Sequence, residues 1–243
     1  MERAQILHIE GLSRRFGGLT AVSDLSFEIY EKEILGLIGP NGAGKSTTFN
    51  LITGVYRPHT GKLTFAGTDI TGKKPAEIGR MGLVRTFQHG SILSELTVYD
   101  NILTGAYMFV RDAGARDRRV RETAELVGVS EMLGDLARNL PHGHQRLLSI
   151  GIAFASRPRL LCLDEPLTGL NGSEIGHALA VIQRIRDGFG TTVLLVDHNM
   201  HAVMRACERI VVLNFGRKLA EGTPDEVSRN PEVIQAYLGG GIT

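Results

Sequence analysis

No charge sign dominates the sequence: 27 lysines and arginines face 26 aspartates and glutamates over 243 residues, a formal net charge of +1. That balance excludes a nucleic-acid-binding surface driven by bulk basicity, and charge alone nominates no partner. Also missing is any apolar run near the roughly 18 to 20 residues that a membrane-spanning helix needs. Residues 1–11 carry neither the apolar core nor the cleavage site of a signal peptide, so the expectation is a chain made and kept in the cytoplasm. Cysteine is scarce. Cys162 lies inside an apolar run and Cys207 far from it in sequence, which gives neither a disulfide framework nor a metal-type pair and leaves two reduced, structural thiols. No internal repeat or low-complexity tract occurs. What remains is ordinary globular material, 42% hydrophobic and 22% charged, long enough to enclose a sizeable core.

Short apolar runs at 34–38, 160–163, 193–196 and 210–213 lack polar alternation, as strands buried on both faces do, and predict a mostly parallel central sheet. Between the second and third, Ile175, Leu179 and Ile182 recur at helical spacing, so strand and helix alternate and the fold class is α/β. The first sixty or so residues differ. β-formers at 6–9 and 25–30, and 62–65 leading into a turn at Gly67, predict an antiparallel β layer beside the main sheet. Residues 97–139 read as a helical insert, with Val120, Ala124 and Val127 on one face and Gly128 as a C-cap. The stretch 111–122 mixes five arginines with three acids and reads as a solvated helix or loop rather than a binding patch.

The segment Gly39-Pro40-Asn41-Gly42-Ala43-Gly44-Lys45-Ser46 fits G-x-x-x-x-G-K-[ST], follows an apolar strand and runs into a plausible helix over 45–54. Glycines let successive backbone N–H groups turn inward around an anion, and the helix adds the positive end of its dipole. Lys45 then supplies a charge between β- and γ-phosphates, and Ser46 a magnesium ligand. A second strand ends in Asp164 and Glu165, where carboxylates face the ligand crevice. Asp164 is expected to hold magnesium, directly or through water, and Glu165 to orient and polarise the water attacking the γ-phosphate. Together these features specify a nucleoside triphosphatase. The guanine-reading segment Asn-Lys-x-Asp is absent, which favours adenine. His198, after the strand at 193–196, stands where an imidazole reaches a γ-phosphate or attacking water; a structural histidine is the alternative.

These residues carry a family resemblance over nearly the whole chain, which resembles the ATP-binding subunit of an ABC transporter with a RecA-like phosphate-loop core. The resemblance implies that Phe16 stacks on adenine and that Gly39, Asn41, Gly42, Ala43, Gly44, Lys45, Ser46 and Thr47 bind phosphates. It makes Gln88, in Arg85-Thr86-Phe87-Gln88, the glutamine that senses magnesium and the membrane partner. Leu140, Pro141, His142, Gly143, His144 and Gln145 occupy the signature position that contacts ATP held by the opposite subunit, Gly169-Leu170-Asn171 the dimer loop, and His198 the switch histidine. The implied division is one cassette over 1–243, with 1–88 and 157–243 forming the ATPase core and β layer and 89–156 the helical subdomain. Within the superfamily the tail, at 208–213, 216–224 and 230–239, resembles the LivG-like group of branched-chain amino acid importers; urea-type importers share much of the pattern, including His-Gly in the signature.

The resemblance further implies ATP and Mg2+ as ligands, a peripheral place on the cytoplasmic face of the membrane, permease subunits as partners and an external solute-binding protein acting through them. Pro141 departs from the usual Leu-Ser-Gly-Gly-Gln signature. It supplies neither hydroxyl nor N–H, His142 adds a bulky ring where a glycine allows close approach, and Gly143 with a helix starting near His144 or Gln145 would still present amides. A heterodimer follows as the expectation, with a second ATPase supplying an intact signature, and a homodimer of this chain is the alternative. Gln88 with residues 89–97 is the region expected to dock a permease helix, although a plain surface loop is the alternative and Ile92, Leu93, Leu96 and Val98 equally suit a core. A chromosome-maintenance ATPase needs a coiled-coil insertion and a translation-associated one a second cassette, and this length has room for neither; a nucleotide sensor without turnover stays as the non-enzyme alternative.

Overall fold

The apolar runs become strands whose two faces are both covered. In the computed structural model, which describes residues 3–86 and 92–238, six strands form one sheet in the order β10-β9-β3-β8-β7-β6. These are Arg217–Gly222, Arg209–Asn214, Ile34–Ile38, Thr192–Val196, Leu160–Asp164 and Leu83–Arg85. All neighbours run parallel except β10, which pairs antiparallel with β9. Along β3, Ile34 and Ile38 enter one apolar cluster while Leu35 and Leu37 enter the other; along β7, Leu161 and Leu163 oppose Leu160 and Cys162. With both faces dry, β3 and residues 160–163 of β7 carry no charged or polar side chain, and each fully buried leucine or isoleucine contributes about 1.5 to 3 kcal/mol.

One face is covered by an antiparallel sheet in the order β2-β1-β4-β5, built from Leu19–Tyr30, Gln5–Phe16, Thr60–Phe65 and Thr68–Asp69. Leu7, Ile9 and Leu12 of β1 and Phe27 and Ile29 of β2 join the same cluster as Phe49 of helix α1 (Lys45–Ile52). The expected β layer and the mostly parallel sheet are both present. Two strands had no clear signal: β6 is only three residues long, and β10 is a largely exposed edge.

The other face carries helices. After α2 (Pro75–Arg80), the insert resolves into α3 (Val98–Tyr107), α4 (Ala113–Val127) and two single turns at Ser130–Met132 and Ala137–Asn139. Val120, Ala124 and Val127 are buried on α4, and Gly128 ends it at φ 77°. The arginine-rich stretch is the solvated side of that helix, opened by Asp112, whose carboxylate accepts from the Ala115 amide at 2.6 Å. Helix α5 (His142–Phe154) starts earlier than expected: Pro141, at φ −53° and ψ 149°, is the N-cap, and the helix opens at His142 rather than near His144 or Gln145. Proline is tolerated there because first-turn N–H groups have no partner inside the helix. A Cβ on Gly105 would stand 1.9 Å from the Ile152 carbonyl oxygen, so α3 and α5 cross backbone against backbone. Helices α6 (Gly172–Phe189), α7 (Met200–Ala206), α8 (Pro224–Arg229) and α9 (Pro231–Leu238) complete the chain.

Candidate functional site

Strand β3 ends at Ile38 and α1 begins at Lys45, so the 39–47 loop bridges the sheet's carboxyl edge to a helix N-terminus. Gly44 caps α1 at φ 100° with no side-chain hydrogen bond and no acid in the first turn. Its N-terminal amides therefore keep their affinity for an anion. A Cβ on Gly44 would lie 2.6 Å from the Ala21 carbonyl oxygen, which leaves glycine as the residue that fits. The Lys45 ammonium, only 9% exposed, donates to the carbonyls of Gly39 at 2.7 Å and Pro40 at 3.1 Å. Burial lowers its pKa and Glu165 partly offsets that. Those carbonyls occupy the ammonium where phosphate oxygens would otherwise take it.

The acids stand opposite the loop. Asp164 closes β7 and is nearly buried, and its carboxylate meets Arg85 Nη2 at 3.3 Å. Burial raises its pKa, Arg85 opposes that shift, and Glu165 and Asp197 add to it. Glu165 follows at φ 51°, an uncommon backbone for a non-glycine residue, held by its amide donating to the Val196 carbonyl at 2.7 Å. Its Oε2 lies 3.0 Å from His198 Nε2, and the imidazole is about half exposed. A single cleft of about 390 Å³ is lined by Phe16, Asn41, Gly42, Ala43, Gly44, Lys45, Ser46, Thr47, Glu165 and His198, with Gly39 at its base through the Lys45 bond. Phe16 sits at the rim, edge-on to Tyr56 with ring centroids 5.2 Å apart and the Arg14 guanidinium 4.9 Å away.

Among the described residues no group of three His, Cys, Asp or Glu side chains is arranged to hold a metal alone. The oxygen donors present, the exposed Ser46 hydroxyl and the buried Asp164 carboxylate, suit Mg2+, which keeps several waters and is completed by phosphate oxygens. Gln88 lies outside the described residues.

The signature residues do not line this cleft. Leu140 is buried, Pro141 and His142 are exposed, Gln145 donates through Nε2 to the Leu140 carbonyl at 2.9 Å, and His144 occupies the first turn of α5. This segment rests on the 169–171 loop: a Cβ on Gly169 would come 2.8 Å from His142 Cε1, and one on Gly143 would come 2.4 Å from Glu174 Oε1. Asn171 is the N-cap of α6, its Oδ1 accepting from the amides of Ser173 at 3.0 Å and Glu174 at 3.1 Å.

Three participants escaped the sequence. Arg85, noted only as a motif letter, donates to Asn50 at 2.7 Å and Thr53 at 3.1 Å as well as to Asp164, tying β6 and β7 to α1. Asp197, 2% exposed, accepts from the Leu167 amide at 3.0 Å and the Asn199 amide at 2.9 Å, so one carboxylate steadies the segments after Glu165 and His198. Phe215, at φ 45° in the β9–β10 turn, is 85% exposed on the cleft rim. Only the signal of an acid adjoining the histidine hinted at any of these. Elsewhere, an apolar cleft of about 480 Å³ runs between α2 and β6 on one side and α3 and α5 on the other, lined by Val84, Leu93, Met108, Phe109 and Ile152. Of the docking candidates, Val98 is buried, Ile92 half-buried, and Leu93 and Leu96 exposed; 89–91 lie outside the described residues.

The family model described as ABC transporter matches residues 22–168, and one described as branched-chain amino acid ATP-binding cassette transporter matches residues 217–243. The chain is 42% identical, over 96% of its length and 98% of the relative's, to the high-affinity branched-chain amino acid transport ATP-binding protein LivG of Salmonella typhimurium. It is 41% identical, over 96% and 98%, to the corresponding protein BraF of Pseudomonas aeruginosa. Among solved structures, an ATP-binding cassette of an ABC transporter, MJ1267 in its ADP conformation, matches with a TM-score of 0.87 at 28% identity, covering 97% of this chain and 99% of that one. A chain with this loop, these two acids and this fold, matched along nearly its whole length, belongs to the ABC transporter family as an ATP-binding subunit of the branched-chain amino acid type.

Proposed function

We propose that this chain is the ATP-hydrolysing subunit that powers import of branched-chain or other hydrophobic amino acids, seated on the cytoplasmic face of the membrane beneath permease subunits. The observation that carries the reading is the single cleft that gathers an aromatic platform, the phosphate loop, Glu165 and His198. Phe16 stacks on adenine, and the amides of 39–47 with Lys45 hold the phosphates. Ser46 and Asp164, with Gln88, are the residues that would hold Mg2+, and the ion when bound neutralises charge on the phosphate oxygens. Glu165 takes the proton of the attacking water, and the His198 imidazole at 3.0 Å keeps its carboxylate aimed.

Leu140, Pro141, His142, Gly143, His144 and Gln145 line no part of this cleft, which supports reading them as contacts to ATP held by a second ATPase subunit. The amides of the first turn of α5 are the donors left to a signature without serine. Loss of one oriented donor costs about 2.7 to 4 kcal/mol of barrier in comparable sites, so the site facing Pro141 turns over slowly. The cleft of this chain, capped by a partner with an intact signature, is the competent one. ATP closes the pair through charge-assisted contacts on both sides, and hydrolysis with phosphate release reopens it. The core over 1–88 and 157–243 and the helical part over 89–156 move relative to one another, and the apolar cleft at their junction takes a cytoplasmic helix of the permease. A solute-binding protein outside the membrane delivers cargo to the permease, and nucleic acid takes no part.

The test is a mild-detergent pull-down from native membranes with ATP and a Glu165→Gln variant, followed by solute uptake in reconstituted vesicles. Two polytopic permease subunits and a second ATPase with a Leu-Ser-Gly-Gly signature, together with leucine-type uptake, are expected. Soluble partners only, or a homodimer of this chain with high ATPase activity, contradicts the heterodimeric importer; uptake of urea alone moves the cargo to the urea class.

A further inference from the structure

Two turns leave the carboxyl ends of the neighbouring strands β7 and β8, and one buried carboxylate joins them. Asp197 is the first residue beyond β8 and is only 2% exposed. Its Oδ2 accepts from the Leu167 amide at 3.0 Å and its Oδ1 from the Asn199 amide at 2.9 Å. The first bond crosses to the loop that leaves Glu165, and the second closes the chain around His198. On the Glu165 side residue 166 is proline, so the Leu167 amide is the first donor that loop offers. On the His198 side Asn199 Oδ1 accepts from the Ala202 amide at 3.0 Å, which seats the turn on α7. Glu165 itself stands at φ 51°, a backbone conformation that persists where the surroundings fix it. Its own amide bonds the Val196 carbonyl at 2.7 Å, and the Asp197 bond holds the chain two residues further on. Both restraints come from the end of β8.

We infer that Asp197 is a positioning residue for hydrolysis: by accepting both amides it keeps Glu165 in its uncommon backbone and sets the 3.0 Å approach of the Glu165 carboxylate to the His198 imidazole. This rests on the reading of Glu165 as the hydrolytic base, aimed by His198. Aspartate suits the task because it is short and offers two acceptor oxygens. Asparagine offers one, and its NH2 group turned toward the second amide would set donor against donor. One of the two turns is then released, and a buried amide is left without its partner. Asp197 does not line the nucleotide cleft, so its loss misaligns the attack on ATP without removing a contact that binds ATP.

The test measures ATP turnover, ATP affinity and melting temperature for the assembled transporter carrying Asp197→Asn, Glu165→Gln, the two together, or Val193→Ala. Val193 is a buried core residue of β8, and its truncation controls for softening of that strand. Asp197→Asn is expected to lower kcat about ten- to hundredfold, the effect of a slightly misplaced catalytic group, with KM and affinity for ATP within about twofold of wild type. Added to Glu165→Gln it is expected to cost less than about twofold more, because its effect passes through Glu165. Val193→Ala is expected to lower the melting temperature and leave kcat near wild type. Wild-type kcat in Asp197→Asn overturns the inference, as does a loss that multiplies in full with that of Glu165→Gln, or one that Val193→Ala matches at an equal drop in melting temperature. Turnover near wild type in Glu165→Gln alone is a separate result, and it overturns the reading of Glu165 as the base.

Discussion

Replacing Arg85 by methionine keeps much of the side-chain volume and leaves the Asp164 carboxylate without its cation. The two side chains are 12% and 5% exposed and meet at 3.3 Å. Burial pushes the Asp164 pKa up and the Arg85 pKa down, each partly countered by the other's charge. Desolvation thus opposes both ions, and intact pairing adds little net stability, but removing one partner strands the other. Breaking such a pair costs about 3 to 5 kcal/mol, which for a chain of this size lowers the melting temperature by at least about 6 °C. Lost bonds to Asn50 and Thr53 add to the deficit. The sign of its pH dependence follows from linkage. A carboxyl whose folded pKa is raised binds its proton more tightly in the folded state, so stability falls as pH rises from near 3.8, the ordinary aspartate value, through the folded pKa. The variant, with the pKa raised further, should show its largest deficit near neutrality and a shrinking one toward pH 4. Thermal melts across that range, with Asp164→Asn added to Arg85→Met, provide the assay, and the double variant should recover about half the loss or more. A neutral-pH melting point within about 2 °C of wild type, or a deficit that does not change with pH, refutes the reasoning.

Asn171→Ala removes the cap of α6 and should cost about 0.5 to 2 kcal/mol, while Asn171→Asp, which caps equally well, should melt near wild type; chemical denaturation separates the two. Gly105→Ala forces a methyl into the 1.9 Å gap before the Ile152 carbonyl, and circular dichroism melts should show one of the larger losses of any single substitution in α3. Cys162, whose thiol pKa burial raises to about 12, and Cys207, raised for the same reason, should resist a disulfide reagent at pH 8 in the folded chain and react as two thiols after unfolding.

The features legible in the sequence were those written in local spacing. The runs at β3, β7, β8 and β9 are apolar at every position because two clusters cover them, and Gly128 marks its helix end because only a residue at ease with positive φ fits there. The 39–47 loop was readable because its chemistry needs glycines and a lysine in a fixed order. What stayed hidden depends on contacts between distant segments. Asp197 reaches back 30 residues to the Leu167 amide, and Arg85 spans 79 residues to Asp164. Helix α5 begins before the expected His144 or Gln145 because Pro141, which has no N–H to offer, is in the fold the N-cap from which the helix opens.

The measurement that bears most directly on the central claim is ATP turnover by the assembled transporter carrying Glu165→Gln, with ATP binding measured on the same preparation. If Glu165, aimed by His198, prepares the attacking water, turnover should fall by about a hundredfold or more while ATP is still bound. Turnover close to wild type with binding intact would place the hydrolytic base elsewhere and contradict the account.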